Sequence, residues 1–426
     1  MLSKEQSIVI VGAGVFGLSI ADELANRGYI NITILDRFSP PVPDGSSVDI
    51  SRIIRFDYAD SLYMKMAREA HALWISDFKQ HYHGSGFLLV SDNPGHPYLE
   101  KAKQYLKEQG TTVDVFTGES DVKNAYPKFQ GDTIGLTGYH NRQGGWAHSS
   151  DAIQTLASRC DKHGVSFVTG SRGTVTSLKT HGNRVRGVNV KSGPPILADR
   201  VILASGAWTS RLVDLELQAI HTAQPVGYIQ LTASEADHLR EMPVAMNLGT
   251  GFFVFPPSPG SNVLKCARHG FGYETTVPVK RLDGESKTIS GPHIRRNGAT
   301  ASFMPADAEE SLRQGLRRFF PPSVSERTFV MKRLCWYTDT PTGDFIVDNH
   351  PALQHLFVAT GGSGHAFKFL PVLGKYLADV FEGIAESNVQ KKWSIKPGPK
   401  DRLMLGDGSR GGPSRRHLAE WEQAKL

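Results

Sequence analysis

A glycine-rich turn near the beginning of the chain constrains the fold most strongly. Residues 7–11 are a serine followed by four β-branched apolar residues, which is typical of a strand buried on both faces of a parallel sheet. Gly12, Gly14 and Gly17 follow in G-x-G-x-x-G spacing and open an amphipathic segment that ends near residues 27–28. The pattern predicts a strand, a tight turn and a helix in this order.

A second apolar run, over residues 32–35, completes the unit and ends in Asp36. In such a β-α-β unit the first glycine permits the tight turn, the second lets the backbone approach a pyrophosphate, and the third lets the helix pack closely on the strand. The helix N-terminus faces the phosphates, and Asp36 can accept hydrogen bonds from an adenosine ribose. The alternative is a β-α turn without a ligand. The residues predicted to hold a dinucleotide are Gly12, Gly14, Val15, Phe16, Gly17, Asp36 and Arg37.

Two later segments repeat the order of strand, glycine-rich turn and helix, at residues 199–208 and 356–383. Because they lie far apart in the chain, we expect an α/β fold with a discontinuous Rossmann-like nucleotide-binding domain. The inserted segments predict an α+β substrate domain built on a mixed antiparallel sheet. The expected boundaries are 1–83, 141–218 and 330–392 for the nucleotide-binding domain, 84–140 and 219–329 for the substrate domain, and 393–426 for a flexible basic tail.

Composition excludes several other classes of protein. The formal net charge is +6, and residues 391–426 contain nine Lys or Arg against four Asp or Glu. A basic tail rich in Gly and Pro is typical of a solvated linker, so we expect no nucleic acid partner. No apolar run approaches the ~20 residues that cross a bilayer, and the N-terminal segment lacks the features of a signal peptide. We expect a soluble protein that is neither membrane-bound nor secreted.

The cysteines and histidines indicate no metal site. Cys160, Cys266 and Cys335 lie far apart in the sequence, which excludes a disulfide framework and zinc-ligand spacing. His81 and His83 are separated by one residue, with no further ligand spacing nearby. A reducing compartment therefore fits, and no metal is expected.

Several motifs together resemble one family of flavoproteins. They are the glycine fingerprint, SVDISRIIRFDYAD, LKCARHGFG, and KRLCWYTDTPTGDFIVDNHP followed by ATGGSGHAFKF. The chain resembles the sarcosine oxidase and fructosyl amino acid oxidase family, also called the D-amino-acid-oxidase-like superfamily. Within it, the chain looks closest to the fungal type that includes L-pipecolate and saccharopine oxidases. The resemblance covers most of the chain.

The resemblance implies FAD as the cofactor, where the glycine fingerprint alone leaves NAD open. It implies an oxidase of the C–N bond of a secondary-amine α-amino acid such as pipecolate, saccharopine or sarcosine. The products would be an imine and hydrogen peroxide, with oxygen as the acceptor. Outside this class, the alternatives are a nicotinamide-dependent dehydrogenase and a non-catalytic nucleotide-binding scaffold. Inside it, they are a fructosyl amino acid oxidase (amadoriase) and a biosynthetic amine oxidase of a secondary-metabolite pathway.

Cys335 has two interpretations. A free cysteine is by default a small buried hydrophobic residue. The surrounding Cys-Trp-Tyr-Thr-Asp-Thr-Pro resembles the family motif that carries the flavin, which implies a covalent bond from Cys335 to the flavin 8α-methyl group. Cys160, at the end of a helical pattern, keeps the default role.

Arg52 and Arg55 flank two apolar residues in SRIIR, which suggests a buried junction. Arginine presents a planar fork that suits a carboxylate. The resemblance implies that Arg52 lies beside the flavin ring, that Arg55 binds the substrate carboxylate, and that Lys368 completes this carboxylate clamp. For each residue the alternative is a surface or ion-pair role.

The other implied catalytic residues come from two motifs. Lys265 interrupts a strand-like apolar run, where a lysine would normally extend to solvent. The family places this lysine over the flavin, where its charge stabilises superoxide. His269 and Tyr337 match an active-site histidine and a substrate-contacting tyrosine, although a satisfied core residue explains either. Further implied cofactor contacts are Ser51, Cys335, Gly362, Gly364, His365 and Lys368.

Two departures from the fructosyl amino acid branch bear on the substrate. That branch shows Asp-Glu where this chain has Ala267-Arg268, and Asn-Lys-Ile where it has Ser51-Arg52-Ile53. Both differences argue against a sugar-amine as the substrate. Arg268 would suit a second substrate carboxylate or a rim ion pair.

The last three residues, Ala424-Lys425-Leu426, are a close variant of the Ser-Lys-Leu peroxisomal address. We therefore expect a peroxisomal protein that binds the import receptor through its tail. The other expected partners are an amino acid substrate and oxygen, and the expected state is a monomer.

Overall fold

The computed structural model describes residues 3–215, 218–280, 284–293, 301–396 and 406–426. Over these residues the strands are β1 (Ile8–Val11), β2 (Ile32–Leu35), β3 (Arg52–Ile54), β4 (Tyr82–His83), β5 (Phe87–Ser91), β6 (Asp114–Phe116), β7 (Thr137–Asn141), β8 (Gly145–Ala147), β9 (Ser166–Val168), β10 (Val175–His181), β11 (Arg184–Val190), β12 (Ile196–Leu197), β13 (Arg200–Leu203), β14 (Ile220–Gln230), β15 (Val244–Asn247), β16 (Phe252–Val254), β17 (Val263–Arg268), β18 (Tyr273–Glu274), β19 (Val277–Lys280), β20 (Ser286–Ile289), β21 (Met331–Asp339), β22 (Ile346–Asn349), β23 (Leu356–Thr360) and β24 (Arg416–His417).

The helices over the same residues are α1 (Val15–Asn26), α2 (Ser61–Trp74), α3 (Pro97–Glu108), α4 (Asp121–Ala125), α5 (Ser149–Lys162), α6 (Gly170–Gly173), α7 (Ala233–Leu239), α8 (Ala306–Phe319), α9 (Pro322–Ser325), α10 (Leu370–Glu382), α11 (Ser387–Trp393) and α12 (Glu420–Gln423). Short 3₁₀ helices cover Gly206–Arg211 and Ala366–Phe369. No helix among the described residues is long and apolar enough to cross a membrane.

A six-stranded sheet carries the glycine fingerprint, in the order β22-β23-β13-β1-β2-β9. The five strands from β23 to β9 are parallel, and β22 is an antiparallel edge. Strand β1 is central, with Val9 opposite Val201 on one side and Thr33 on the other. The sheet draws strands from three distant parts of the chain, as the repeated strand-turn-helix segments predict.

Both faces of this sheet are covered, which explains the continuous apolar run in β1. Ile8 and Ile10 join one core cluster with helices α1, α5 and α10. Val9 and Val11 join a second cluster with Leu178 of β10, on the other face. Because side chains alternate between faces along a strand, a strand covered on both sides needs an apolar residue at every position.

The second large sheet has ten strands and mixed pairing. Its order is β24-β18-β14-β17-β16-β15-β5-β7-β6, and β21 also pairs with β14. Helix α8 packs on it through a buried cluster that includes Leu312 and Leu316. The predicted fold class is confirmed: an α/β nucleotide-binding sheet stands beside a mixed, largely antiparallel sheet.

One predicted boundary is wrong at β21. Residues 330–392 were expected to belong to the nucleotide-binding domain, yet β21 is antiparallel to β14 along its whole length, from Tyr228↔Met331 to Ile220↔Asp339. The motif after Cys335 leads directly into β22 and β23 of the parallel sheet, so sequence order alone does not reveal that the motif begins in the other sheet.

The expected flexible tail is also wrong for residues 406–426, which pack on the body of the protein. Strand β24 pairs with β18, and Leu418 is buried. Arg416 forms an ion pair with Asp307, 2.6 Å away, and Arg410 one with Asp339, 2.5 Å away. The basic residues that make the segment look like a solvated linker have acidic partners in distant parts of the chain.

Candidate active site

A cavity of about 1270 Å³ is lined by residues of both large sheets. Pockets for one small ligand usually enclose ~300–1,000 Å³, so this cavity is large enough for a dinucleotide together with a small substrate. All the predicted site residues line it except Gly17 and Ser51. The sequence motifs, which are spread over more than 350 residues, therefore meet at one site.

The glycine turn has the geometry that the fingerprint predicts. Gly12 has φ +111°, and a Cβ there would lie 2.5 Å from the carbonyl oxygen of Ala204. A Cβ on Gly17 would lie 1.9 Å from the carbonyl oxygen of Gly12, so Gly17 sets the close approach of α1 to β1 rather than contacting a ligand. The amide of Val15, in the first turn of α1, donates to Ser47 Oγ at 3.0 Å.

Asp36 and Arg37 lie at the end of β2, beside this turn. The Asp36 carboxylate accepts hydrogen bonds from the amides of Ala13 at 2.8 Å and Arg37 at 2.6 Å. Arg37 pairs with Asp44 at 2.7 Å, and its guanidinium lies 5.2 Å from the ring of Trp208. Burial raises the pKa of Asp36, while these amides and Arg37 oppose the shift.

The lining of this cavity fits FAD. A buried polar atom without a hydrogen-bond partner among the described residues needs an explanation, and a bound group that supplies the partner is one. Those that line the cavity near the turn are Arg37 Nη1, Asp44 Oδ1, Trp208 Nε1 and Arg211 Nε. They supply donors and an acceptor where a dinucleotide needs both.

A buried charged cluster surrounds Asp49. The Lys265 ammonium lies 2.8 Å from the Asp49 carboxylate, Arg52 lies 2.7 Å from it and Arg333 2.9 Å. Tyr228 donates a further hydrogen bond to Asp49 at 2.8 Å. The Asp49 cluster thus combines three basic side chains with one carboxylate, directly beside the cavity.

The pKa values in this cluster follow from that imbalance. Burial alone would raise the pKa of Asp49, but Lys265, Arg52 and Arg333 outweigh it and hold the pKa well below its usual value. Burial lowers the pKa of Lys265 to about 7, and Asp49 limits this shift while Arg52 and Arg333 increase it. Lys265 therefore titrates near neutral pH.

Sequence reasoning missed Asp49, although it lies inside a quoted motif. The signal that could have found it is a single acidic residue among serines, apolar residues and arginines in SVDISRIIR.

Ser51, which does not line the cavity, contacts the same cluster. Its carbonyl accepts from Lys265 at 2.7 Å and from Arg52 at 2.9 Å.

Cys335 is the one cysteine of the chain that lines the cavity. It lies on β21 opposite Gln224 and packs with Val226 and Ala267. Cys160 and Cys266 are fully buried elsewhere, and Cys160 donates to the carbonyl of Leu18.

Arg55 and Lys368 lie against one aromatic ring. The guanidinium carbon of Arg55 is 4.8 Å from the ring centre of Tyr58, and the ammonium of Lys368 is 5.3 Å from it. Arg55 Nη2 donates to the Tyr98 hydroxyl at 3.2 Å, whereas Nη1 is buried without an acceptor among the described residues. Burial lowers the pKa of Lys368 well below its usual value, and Arg55 adds to the shift. A bound carboxylate would supply the counter-charge for both groups.

His365 fixes the position of Lys368. Its Nε2 lies 2.9 Å from the carbonyl of Gly343, which can only accept, so Nε2 carries the proton. Nδ1 then accepts from the Tyr58 hydroxyl at 2.9 Å, and that hydroxyl accepts from Lys368 at 2.9 Å. Burial and then Lys368 lower the pKa of His365 to about 3, which keeps the ring neutral. Both ring nitrogens are thus bonded within the protein, so a cofactor would meet only the backbone or the ring face.

His269 and Tyr337 form a pair at the cavity wall, with Nδ1 of His269 3.3 Å from the Tyr337 hydroxyl. Gly364 makes room for Tyr337, because a Cβ at Gly364 would lie 2.3 Å from the tyrosine ring. Gly362 lies in the same turn, against Phe16 of α1.

Arg268 also lines the cavity. Its terminal nitrogens donate to Ser311 at 2.9 Å and to the Tyr273 hydroxyl at 3.3 Å, within the ten-stranded sheet and its covering helix. Its Nε is buried without an acceptor among the described residues. A role for Arg268 toward a second substrate carboxylate stays a prediction.

A parallel sheet with a glycine fingerprint, which lines a cavity large enough for a dinucleotide, defines a dinucleotide-binding protein. The family model described as FAD dependent oxidoreductase matches residues 7–380, and the chain belongs to this family.

Three similar proteins show how far the likeness extends. L-saccharopine oxidase of Schizosaccharomyces pombe is 31% identical over 410 residues, which cover 91% of this chain and 92% of that protein. Amino acid oxidase imqH of Aspergillus flavus is 31% identical over 472 residues, covering 92% and 98%. The crystal structure of fructosamine oxidase (Amadoriase II) from Aspergillus fumigatus has a TM-score of 0.83 at 29% identity, covering 98% of this chain and 96% of that one.

Proposed function

We propose that the protein is an FAD-dependent oxidase that acts on the C–N bond of a secondary-amine α-amino acid. The observation that carries this proposal is the pair Arg55 and Lys368. Both are buried, both line the cavity, and Arg55 Nη1 has no acceptor among the described residues. An amino acid carboxylate satisfies this pair, and the similarity to L-saccharopine oxidase supports a secondary amine as the reacting group.

FAD, when bound, supplies the acceptor for the hydride of the substrate and passes the electrons to oxygen. The residues proposed to hold its pyrophosphate and adenosine are the glycine turn at Gly12 and Gly14, the N-terminus of α1, and Asp36 with Arg37. Backbone amides at a helix N-terminus are suited to a pyrophosphate. Cys335 is proposed to carry the covalent bond to the flavin, because it is the one thiol at the cavity wall.

The chain's own residues then orient the substrate. Arg55 and Lys368 bind the carboxylate, and Lys368 is held in place by its hydrogen bonds to the Tyr58 hydroxyl and the carbonyl of His365. A substrate fixed at its carboxylate presents its α-carbon in one orientation, which accounts for much of the rate gain in such reactions. Lys265 and Arg52 place positive charge where oxygen is reduced, and such preorganised charge acts strongly in a site that excludes water.

The second candidate function is the oxidation of a fructosyl amino acid. The likeness to fructosamine oxidase over 98% of the chain favours it. Against it stands Ala267-Arg268, where the fructosyl branch has acidic residues and where Arg268 is bonded to Ser311 and Tyr273.

An oxygen-electrode screen decides between these classes. Purified protein would be offered saccharopine, pipecolate, sarcosine, proline and fructosyl amino acids in turn. Oxygen uptake with a secondary-amine amino acid, together with peroxide release, is expected. Uptake only with fructosyl amino acids would move the assignment to the second candidate.

We further propose that the protein is a monomer in the peroxisome. The support for the location is Ala424-Lys425-Leu426, a variant of the peroxisomal address. A fluorescent protein fused to the N-terminus is expected to accumulate in peroxisomes, and deletion of these three residues is expected to leave it in the cytosol. Equal distribution of both forms would contradict the location.

A further inference from the structure

The C-terminal segment of residues 406–412 reaches the active site. Ser409 is 2% exposed, and its hydroxyl lies 3.0 Å from Nε2 of His269. The carboxylate of Asp407 accepts from this hydroxyl at 2.5 Å and from the Ser409 amide at 3.0 Å. With the Tyr337 hydroxyl on the other ring nitrogen of His269, four groups form a continuous chain, here called the relay: Tyr337, His269, Ser409 and Asp407.

The direction of each hydrogen bond in the relay follows from its end at Asp407. An ionised carboxylate can only accept hydrogen bonds, so the Ser409 hydroxyl donates its hydrogen bond to Asp407. The oxygen of Ser409 must then accept from Nε2–H of His269. Because a neutral imidazole has one donor and one acceptor, Nδ1 is the acceptor and the Tyr337 hydroxyl donates to it.

The segment is held firmly enough to define this geometry. Arg410 donates to Asp339 at 2.5 Å and to the carbonyl of Gly270 at 2.7 Å. The amide of Gly411 donates to the carbonyl of His269 itself at 3.2 Å. The residue that carries the imidazole is thus fixed by the same segment that supplies its acceptor.

Charged and titratable groups face His269 from several elements. Burial, Arg410, Arg55 and His365 all lower the pKa of His269, and Asp407 opposes them. Burial would raise the pKa of Asp407, but His365, the Ser409 hydroxyl and His269 outweigh it, and its pKa lies below the usual value. At neutral pH the imidazole is therefore neutral and Asp407 is ionised, which is the state that the hydrogen-bond directions require.

We propose that Ser409 and Asp407 are positioning residues of the active site, which fix His269 as the Nε2–H tautomer so that its Nδ1 holds the Tyr337 hydroxyl in one orientation. This rests on the proposed function. With its proton directed to Nδ1, the Tyr337 hydroxyl keeps an oxygen lone pair for the cavity that it lines, where it accepts a hydrogen bond from the substrate amine. No proton and no electron is transferred in this role.

The kinetic test compares kcat and KM at pH 7 for wild type, Asp407→Asn and Ser409→Ala, with Glu420→Gln as control. Glu420 is an exposed carboxylate of the same C-terminal region. One neutral hydrogen bond is typically worth about 2- to 10-fold in affinity, so both variants should raise KM by about that factor while kcat changes less. The control should follow wild type. A fall in kcat at unchanged KM would overturn the proposal, because it would indicate a structural role without a substrate contact.

A second measurement does not depend on turnover. Long-range ¹H–¹⁵N correlations on histidine-labelled holoenzyme report which ring nitrogen carries the proton, and the His269 signal is assigned by its absence from His269→Gln. Wild type should show the Nε2–H tautomer, and Ser409→Ala should lose this fixed state. An Nδ1–H tautomer in wild type would overturn the relay. If wild type oxidises no secondary amine but shows Nε2–H, the proposed function fails while the assigned geometry stands.

Discussion

The ammonium of Lys265 lies 2.8 Å from a carboxylate oxygen of Asp49, and both side chains are buried, at 3% and 1% exposed. Arg52 and Arg333 contact the same carboxylate. Two positive charges thus remain uncompensated within the cluster when Lys265 is protonated. A cluster of this kind is suited to a site where negative charge develops during oxygen reduction.

Lys265→Met should slow the reaction of the reduced enzyme with oxygen, because the variant removes a fixed charge next to the developing anion. The loss of one preorganised group typically costs ~10²–10³ in rate. Stopped-flow mixing with oxygen measures this step, and anaerobic reduction by substrate should fall far less. Lys79→Met, at an exposed position, is the control. If anaerobic reduction collapses and reoxidation does not, Lys265 belongs to substrate handling.

Reoxidation should also depend on pH. Burial lowers the pKa of Lys265 to about 7, and the charged form is the active one. The reoxidation rate should therefore be highest below that pH and should fall as the pH rises through it. Lys265→Met should lack this dependence. A wild-type rate that rises with pH over the same range would contradict the role of the charge.

Asp49→Asn should destabilise the fold strongly, because it leaves buried Lys265 and Arg333 and half-buried Arg52 without their carboxylate. Removing one partner of a buried ion pair costs ~3–5 kcal/mol in the free energy of unfolding. Urea unfolding of the holoenzyme measures the loss, and Asp77→Asn, at an exposed position, should change stability little. A loss below ~1 kcal/mol would show that the Asp49 cluster is not a unit of the fold.

Cys335→Ser should release flavin that otherwise stays with the polypeptide after acid precipitation. Cys160→Ser is the matched control, because Cys160 is buried away from the cavity and donates to a carbonyl that serine also reaches. The measurement is flavin absorbance in the supernatant and the pellet. A yellow supernatant from wild type would refute the covalent bond.

Arg55→Met should raise KM for a carboxylate substrate, because the guanidinium contributes a charge-assisted hydrogen bond. Such a bond is worth ~1.5–3 kcal/mol, or roughly 10- to 100-fold in affinity. Bound flavin should be unchanged, and Arg142→Met at an exposed position should behave as wild type. Unchanged steady-state kinetics in Arg55→Met would remove Arg55 from the carboxylate clamp.

The parts of the fold that could be predicted are those whose physics is local. The strand, turn and helix around Gly12 can be predicted from about thirty residues, because their glycines and apolar runs lie next to one another in the sequence. The family resemblance predicted that Cys335, Lys265 and Arg55 share one site, and the structure shows that all three line one cavity.

The parts that could not be predicted depend on distant pairs. The role of Asp49 requires Lys265 and Arg333, more than 200 residues away. The composition of the C-terminal segment is typical of a linker, because the acidic partners of its basic residues, such as Asp339 for Arg410, lie elsewhere in the chain. Ser409 and Asp407 reach His269 only once that segment is docked, so no local pattern could reveal them.

Anaerobic mixing of the purified yellow protein with saccharopine, pipecolate or sarcosine tests whether this chain binds FAD and oxidises the amine of an amino acid. We expect loss of the oxidised-flavin absorbance with at least one of these amines, and equimolar peroxide when air is admitted. A colourless protein, or flavin absorbance that no secondary-amine amino acid changes, would contradict it.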